Sequence, residues 1–300
     1  NKFTAKTGIK VNVVSGKDKA LIKRITEEGK DSKADLYITA DAGRLGAAQA
    51  AGLLQKGASS SKVKKAVPSN LRTAYWTGIA KRARVIYYDP SRTTPRPDMS
   101  YEDLASSVFK GKVVIRQSNN VYNQSLVASL IKNNGSKKTA EWAKGIVSNF
   151  ARPAKGNDRA QILAVAAGEA DYAVANTYYI ALMLSGQKGA EQQAAAKKVT
   201  PFFPNQMGRG THMNISGGGI LKNAPNKANA IKLLEFLVTS EAQKHIVNNT
   251  FEYTIIDGVE PSALIAQFGT SFKQDTKTNV STYYKNQAEA LKIMTEAGWN

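Results

Sequence analysis

The chain has 300 residues, of which 42 are Lys or Arg and 23 are Asp or Glu, so its formal net charge is +19. It contains no cysteine, which excludes disulfides, zinc–thiolate sites, iron–sulfur clusters and thiol catalysis. The apolar fraction of 42% is typical of a globular chain rather than a disordered one. No apolar run is long enough to span a bilayer or to form the core of a signal peptide.

The strong positive charge raises the question of a nucleic-acid or membrane partner. The lysines are spread through nearly every segment, often beside Asn, Ser or Glu, and no long basic run occurs. The sequence also lacks an RNA-binding aromatic motif and zinc-finger spacing. This pattern favours a solvated Lys-rich surface, and we expect no nucleic-acid partner and no stable membrane insertion. Such a surface still attracts anionic complexes of a metal.

The first part of the chain alternates between helix and strand signals. In chain order we predict a helix end closed by Gly8, a strand over 9–14, a helix over 17–28, a strand over 34–39 and a helix that runs to Leu54. Asp41 is predicted to cap the last of these helices. This alternation indicates an α/β layer with a parallel sheet.

The middle and the end of the chain repeat this pattern after an extended stretch. We predict extended segments over 75–80 and 84–88, strands over 112–116 and 172–175, and helices over 122–132, 139–149 and 158–167. Further on, 201–210 is predicted to be extended and turn-rich, 215–221 a strand with three glycines that need permissive backbone angles or a close neighbour, and 226–239 a helix followed by a second one capped by Ser240. Two α/β series separated by extended crossings near residues 80 and 205 predict two lobes joined by a strand hinge.

Three tyrosines follow predicted strands at the start of predicted helices. Tyr122 comes after strand 112–116, and Tyr178 and Tyr179 come after strand 172–175, where Asn176-Thr177 is predicted to cap the helix. Ligands of parallel α/β sheets bind beyond the carboxyl ends of the strands. The helix dipole there favours an anionic oxygen, and a trivalent cation lowers the pKa of a phenol far below 10. Phenolates that converge at one point suit a hard cation, and Fe(III) is the first candidate.

The alternative is that these tyrosines are ordinary amphipathic side chains, because a tyrosine pair alone is a weak motif. Tyr87-Tyr88 in a predicted strand and Tyr283-Tyr284 in a predicted terminal helix are pairs that we expect to be structural. Arg82 and Arg84 lie at the first crossing, where a guanidinium would offset the repulsion between phenolates, or would simply be solvated. His212 and His245 are far apart in sequence, and we expect them to be structural or exposed rather than metal ligands.

Catalytic motifs are absent from the sequence. There is no Gly-x-Ser-x-Gly nucleophile elbow, and Ser216 lacks the leading glycine although three glycines follow it. No phosphate-binding Gly-x-x-x-x-Gly-Lys-Ser/Thr loop occurs either. We therefore expect a binding protein and not an enzyme.

Taken together, several short stretches carry a resemblance to a known family. They are ADL at 34–36, DAGRL at 41–45, KRARVIYY at 81–88, NVYNQS at 120–125, NTYY at 176–179, HMNISG at 212–217 and APNK at 224–227. Through them the chain resembles the ferric-ion-binding proteins of bacterial ABC iron importers, especially the cyanobacterial type, over nearly its whole length.

The resemblance implies the two-lobed α/β fold of the type II periplasmic substrate-binding proteins, with a ligand cleft between the lobes. The first lobe is expected to comprise 1–80 and 212–256 and the second 81–211, with C-terminal helices in 257–300 that pack on the second lobe. Tyr122, Tyr178 and Tyr179 match the family's three tyrosine ligands for Fe(III), and Arg82 matches an arginine beside the iron, although Arg84 competes for that assignment.

The resemblance also implies a ligand that is not visible here. The family opens with a strand followed by a His-Tyr or similar pair that supplies ligands from the first lobe, whereas this chain starts after that point, without Met. We expect a processed or trimmed chain whose N-terminal strand is missing, so that water, a small anion or another residue would complete the coordination of the iron.

The function implied is that of a monomeric periplasmic Fe(III) carrier that delivers iron to the permease of an ABC transporter. Whether it floats free or carries a lipid anchor is left open. One alternative is the same fold binding a small organic anion, a phosphonate or a polyamine, which Arg82 and the positive charge would suit in the case of an anion. A more distant alternative is a basic nucleic-acid-binding protein.

Overall fold

The computed structural model of the protein describes residues 2–300. Its helices are α1 (Lys2–Thr7), α2 (Asp18–Glu28), α3 (Ala42–Ala50), α4 (Ser61–Ala66), α5 (Val121–Asn134), α6 (Ser136–Ser148), α7 (Asp158–Ala166), α8 (Tyr178–Leu184), α9 (Ala190–Ala196), α10 (Lys227–Leu237), α11 (Ser240–Thr250), α12 (Ala263–Ala266), α13 (Thr282–Lys285) and α14 (Gln287–Glu296). Its strands are β1 (Leu36–Ala40), β2 (Leu54–Gln55), β3 (Trp76–Tyr88), β4 (Val113–Val114), β5 (Tyr172–Asn176), β6 (Thr200–Phe202), β7 (Met213–Leu221) and β8 (Tyr253–Thr254). This mixture confirms the α/β class.

The long strand β3 joins two halves of the sheet. Its first part, residues 76–83, pairs with β7, whereas its second part, residues 84–88, pairs with β5 and β6. The resulting strand order is β1-β7-β3-β5-β4, with β2, β6 and β8 attached at the sides. The two extended segments predicted over 75–80 and 84–88 are therefore one continuous strand that crosses from one half to the other.

The three glycines of β7 are explained by close packing. A Cβ atom on Gly217 would lie 2.5 Å from the carbonyl oxygen of Thr77, and one on Gly219 would lie 2.9 Å from that of Tyr75. Real Cβ contacts are longer than this, so only glycine lets β7 approach the neighbouring chain here. Of the two reasons predicted for these glycines, the close neighbour applies.

Two strand predictions were wrong. Residues 9–14 form no strand, and Val13 and Val14 are 79% and 62% exposed. An apolar segment forms a β-strand only when its backbone hydrogen-bonds to a neighbouring strand. Residues 9–14 pair with no strand among residues 2–300. The sheet is also not the parallel one that we predicted. In the described part of the chain, β4 and β5 are the one parallel pair of strands. The other strand pairs, including β3 with β5 and with β7, are antiparallel.

The predicted cap of α3 is confirmed, although this helix ends at Ala50 and not at Leu54, and the predicted cap of α11 is shifted by one residue. The Asp41 carboxylate accepts a hydrogen bond from the backbone N–H of Gly43 and so caps α3, as predicted. The cap of α11 is the hydroxyl of Thr239, which accepts from the N–H of Ala242, and not Ser240. Both residues have the short oxygen side chain that caps require, and only the backbone decides which one lies outside the helix.

The C-terminal helices pack against α5 and against the start of β7. The Tyr283 hydroxyl donates to the carbonyl of Met213 (2.7 Å), and the Trp299 indole N–H donates to the carbonyl of Arg116 (2.9 Å). Tyr284 lies against Gly46 of α3, so these helices contact α3 as well as α5. The lobe boundaries given above stay a prediction. Within residues 2–300, every helix is too short or too polar to cross a membrane.

Candidate metal centre

The only parallel strand pair among residues 2–300 brings the two tyrosine-bearing turns together. In β4 and β5, Val113 lies opposite Tyr172 and Val114 opposite Ala173, so both strands end at the same edge of the sheet. α5 begins shortly after β4 and carries Tyr122 in its first turn, and α8 follows β5 directly and begins with Tyr178. The juxtaposition of these turns therefore follows from the topology.

Each turn is fixed by a specific hydrogen bond. The Asn120 side chain accepts from the backbone N–H of Tyr122 at 3.0 Å and caps α5. At α8 the predicted Asn176-Thr177 cap was wrong, because Thr177 has helical backbone angles and makes no capping bond. Its hydroxyl instead accepts from the N–H of Ala83 at 3.3 Å. Thr177 thus ties the start of α8 to β3, where the strand passes between the halves of the sheet.

The three phenol side chains form one cluster. The Tyr178 hydroxyl donates to the Tyr122 hydroxyl at 3.3 Å. The rings of Tyr178 and Tyr179 lie 4.3 Å apart between centroids, with their planes inclined by 32°. All three side chains are half-buried, so they are neither fully solvated nor sealed in the core. Tyr87, by contrast, is fully buried and donates to the carbonyl of Asn176, and Tyr283 is buried as described above.

The phenols oppose each other's ionisation. Burial raises the pKa of Tyr178 well above 10, and the neighbouring Tyr122 and Tyr179 raise it further, while Arg82 works in the opposite direction. Burial and the charge of Tyr122 raise the pKa of Tyr179 to about 12. At neutral pH Tyr178 and Tyr179 are therefore protonated. A cation placed among the three oxygens would remove that repulsion and favour the phenolate forms.

Arg82 lies beside this cluster. Its guanidinium carbon is 5.5 Å from the centre of the Tyr122 ring, and its Nη1 atom contacts Ser216 at 3.1 Å and Glu252 at 3.3 Å. Its side chain is 1% exposed, and its Nε and Nη2 atoms have no hydrogen-bond partner within residues 2–300. Burial lowers the pKa of Arg82, but the acidic groups around it, with Glu252 first, together raise it by more, so that it stays charged.

Arg84 belongs to a different cluster, although it is only two residues away on β3. It donates to Asp158 (3.1 Å), to the Asn176 side chain (2.9 Å) and to Asn123 (2.6 Å). Asp158 is fully buried and also accepts from the backbone N–H of Asn176 at 2.8 Å. Arg84 is therefore a structural clamp on the strand that precedes Tyr178, and Arg82 is the arginine that faces the phenols.

A comparison with known proteins identifies the family of the chain. Residues 1–277 match the family described as bacterial extracellular solute-binding protein. The chain belongs to this family. Its members are bacterial extracellular proteins that bind solutes, and this coarse assignment holds for the chain.

Several relatives of this solute-binding protein carry names that refer to iron. "Iron uptake protein A1" of Synechocystis sp. is 48% identical over 300 residues, which cover 99% of this chain and 82% of the relative. The solved structure of Trichodesmium IdiA (FutA) in complex with iron and citrate ligands is 53% identical, with a TM-score of 0.96 over 100% of this chain and 94% of that one. The ferric binding protein from Campylobacter jejuni is 41% identical, with a TM-score of 0.90 over 100% and 94% of the two chains. The two-lobed fold of such proteins, which we predicted, is confirmed.

Sequence reasoning missed Arg116, which lies beside the tyrosine cluster of this solute-binding protein, and Asp158, which joins Arg116 to Arg84. Arg116 lies with its guanidinium carbon 5.5 Å from the centre of the Tyr122 ring, as Arg82 does. Asp158 accepts from Arg116 at 3.3 Å as well as from Arg84. The sequence placed Arg116 at the end of a predicted strand and Asp158 at the start of a predicted helix. Nothing in the local pattern indicated that a buried Asp158 carboxylate would join Arg116 to Arg84.

The two histidines have no part in the cluster. His212 is buried, its Nδ1 atom lies 3.1 Å from the Ser129 hydroxyl, and burial together with Arg84 and Arg209 lowers its pKa well below 6.5. His245 is exposed on α11. In the described part of the chain, no group of three or more His, Cys, Asp or Glu side chains is arranged to hold a metal ion.

Proposed function

We propose that this chain is a periplasmic carrier of Fe(III), which holds the ion through Tyr122, Tyr178 and Tyr179 and hands it to the permease of an ABC importer. The observation that carries the proposal is the 3.3 Å contact between the Tyr178 and Tyr122 hydroxyls, with the Tyr179 ring packed at a tilt against that of Tyr178. The relatives named for iron uptake and ferric binding support the choice of ion.

The chemistry of the donor set fits a small, highly charged cation. Phenolates are hard, anionic oxygen ligands, and three of them balance the charge of Fe(III). Binding must displace the protons that Tyr178 and Tyr179 carry at neutral pH, so loading the ion releases protons. The guanidinium groups of Arg82 and Arg116 lie over the Tyr122 ring, each 5.5 Å from its centre, and place positive charge beside the cluster. Ligands from the first lobe, or water or a small anion, would complete the coordination.

Transport requires a conformational change that distinguishes the iron-loaded protein from the empty one. β3 runs from the first half of the sheet into the second, so a ligand that touches both lobes shifts the balance towards a closed form by its extra affinity for that form. The permease would recognise the closed form. Because the tyrosines all lie on elements that follow β4 and β5, we expect the second lobe to hold the ion first.

The test is to mix the metal-free protein with ferric citrate. We expect a visible phenolate-to-iron charge-transfer band, which the double variant Tyr178→Phe/Tyr179→Phe should lose. Tyr88→Phe, which changes a tyrosine outside the cluster, should keep the band. A colourless mixture, or a band that persists unchanged in the double variant, would contradict the proposal.

A measurement of the melting temperature separates the main alternative, a small organic anion held by Arg82. The unpaired Nε and Nη2 atoms of Arg82, as seen within residues 2–300, are the observation in its favour. A ligand raises the melting temperature of the protein that binds it. A rise with organic anions or phosphonates in the absence of iron, and none with ferric citrate, would favour that alternative.

A further inference from the structure

A fully buried carboxylate links the first half of the sheet to the helix that carries Tyr122. Asp41 follows β1 and is 0% exposed, and Ser125 in the first turns of α5 is 1% exposed. The Ser125 hydroxyl donates to the Asp41 carboxylate at 2.7 Å. These residues are 84 positions apart in sequence, and the bond between them joins α3 to α5.

Asp41 also makes two hydrogen bonds to β7, in the first half of the sheet. Its second carboxylate oxygen accepts from the Asn214 side chain at 2.9 Å, and its backbone N–H donates to the carbonyl of Ile215 at 2.8 Å. Asn214 lies directly opposite Arg82 in the pairing of β7 with β3. A continuous hydrogen-bonded path therefore runs from the strand of Arg82, through Asn214 and Asp41, to Ser125.

The backbone of Asp41 is strained. Its φ angle of 88° and ψ angle of 123° lie outside the regions that side-chain-bearing residues ordinarily adopt. Such a conformation costs on the order of 1–3 kcal/mol and persists only where the surroundings enforce it. A Cβ atom on Gly43, two residues on, would lie 3.1 Å from the Asp41 carboxylate, which is tighter than most real Cβ contacts, so a side chain there would crowd that carboxylate.

The helical spacing connects this link to the proposed ligand. Ser125 comes three residues after Tyr122 on α5, and residues three apart lie on neighbouring positions of a helix surface. Whatever fixes Ser125 therefore fixes the turn that projects Tyr122. A buried hydrogen bond to a charged acceptor stabilises by more than a neutral one.

We propose that Asp41 is a positioning residue which, through Ser125, fixes the Tyr122-bearing turn of α5 to the first half of the molecule. The proposal rests on the function proposed above, in that Tyr122 is taken as an iron ligand. It does not require Asp41 to touch the ion. Its effect is to keep one of the three phenols in place before the ion arrives, which reduces the ordering that binding would otherwise need.

The test compares two buried serines of the same helix. Ser125→Ala removes the donor to Asp41, whereas Ser129→Ala removes a hydroxyl that donates to the Leu126 carbonyl and lies against His212. In Ser125→Ala without metal, we expect amide hydrogen exchange of residues 122–126 to rise roughly tenfold. Iron release to excess chelator should also become several-fold faster. Ser129→Ala should keep wild-type values in both measurements.

Two results would overturn the positioning role. One is Ser125→Ala with the exchange and release rates of the wild type, and the other is an equal effect of Ser129→Ala. Asp41→Asn serves as the second variant: its amide oxygen keeps the bonds from Gly43 and Ser125, but as a neutral acceptor, so its exchange and release rates should lie between those of the wild type and Ser125→Ala. Because hydrogen exchange is measured without metal, it decides the positioning role even if the wild type gives no charge-transfer band, a result that would count against the proposed function alone.

Discussion

Arg82 and Arg84 are two residues apart on one strand and equally buried at 1% exposure, yet their surroundings differ in kind. Arg84 is satisfied by a buried carboxylate and two amide side chains, with only its Nε atom unpaired in the described chain. Arg82 shares one nitrogen between Ser216 and Glu252 and leaves two unpaired, beside the tyrosines. From this difference we infer that Arg84 stabilises the fold, and we propose that the charge of Arg82 acts on the phenols.

The largest loss of stability is expected when Arg84 is changed. Arg84→Met leaves Asp158 buried with less countercharge, and breaking a buried ion pair costs about 3–5 kcal/mol of unfolding free energy. Chemical denaturation measures this. The double variant Arg84→Met/Asp158→Asn should lose less than the sum of the single variants. A loss below about 1 kcal/mol for Arg84→Met would contradict the structural role.

Changing Arg82 is expected to have a smaller effect on stability and to lower the affinity for Fe(III). In Arg82→Gln, Glu252 keeps the Ser216 hydroxyl, so we expect a loss of about 1–2 kcal/mol. The affinity for Fe(III) should fall roughly tenfold, because a nearby cation favours the ionised phenols. Competition with a chelator measures the affinity. Arg96→Gln changes an exposed arginine and is the control; an equal loss of affinity in both variants would make the effect of Arg82 merely one of net charge.

The smallest effect sharpens the role of the phenols themselves. Burial and the charge of Tyr122 raise the pKa of Tyr179 from 10.0 to about 12. Above pH 10 the unfolded chain therefore loses this proton before the folded chain does, so stability that is present below pH 10 is lost as the pH rises towards 12. In the metal-free protein, Tyr179→Phe should flatten this decline, as followed by denaturation at several pH values. An unchanged decline would contradict the burial of the Tyr179 hydroxyl.

Iron loading should show the matching dependence on protons. Because the phenols release protons when they bind the ion, apparent affinity should increase with pH, and Tyr179→Phe should reduce that slope by about one proton. Chelator competition at several pH values gives the slope. The same slope in Tyr179→Phe and in the wild type would mean that Tyr179 is not a ligand.

The sequence predicted the tyrosine cluster better than the start of the chain, and the reason is physical. Tyr122 and Tyr178 follow two strands that are parallel neighbours, so local patterns were enough to place them at one sheet edge. Residues 9–14 have the apolar composition of a strand, but a strand exists only if another one pairs with it, and pairing is not a local property. The same limit applies to the mainly antiparallel sheet, which depends on how β3 crosses between its neighbours.

Buried polar contacts were also beyond local patterns. Asp41 was predicted as a helix cap, which it is, but its bond to Ser125 joins residues 84 positions apart. The choice between Arg82 and Arg84 likewise depended on Asp158 and Glu252, which lie far away in sequence. The types of residue needed for the candidate site were visible in the sequence, and their partners were not.

The proposed function requires three phenol oxygens to meet at one ion. Crystals grown with ferric citrate and examined by anomalous diffraction at the iron edge would locate that ion. We expect a single strong peak within bonding distance of the hydroxyl oxygens of Tyr122, Tyr178 and Tyr179, with Arg82 beside it. A peak elsewhere on the protein, or one that contacts only one of these tyrosines, would overturn the assignment of the three ligands.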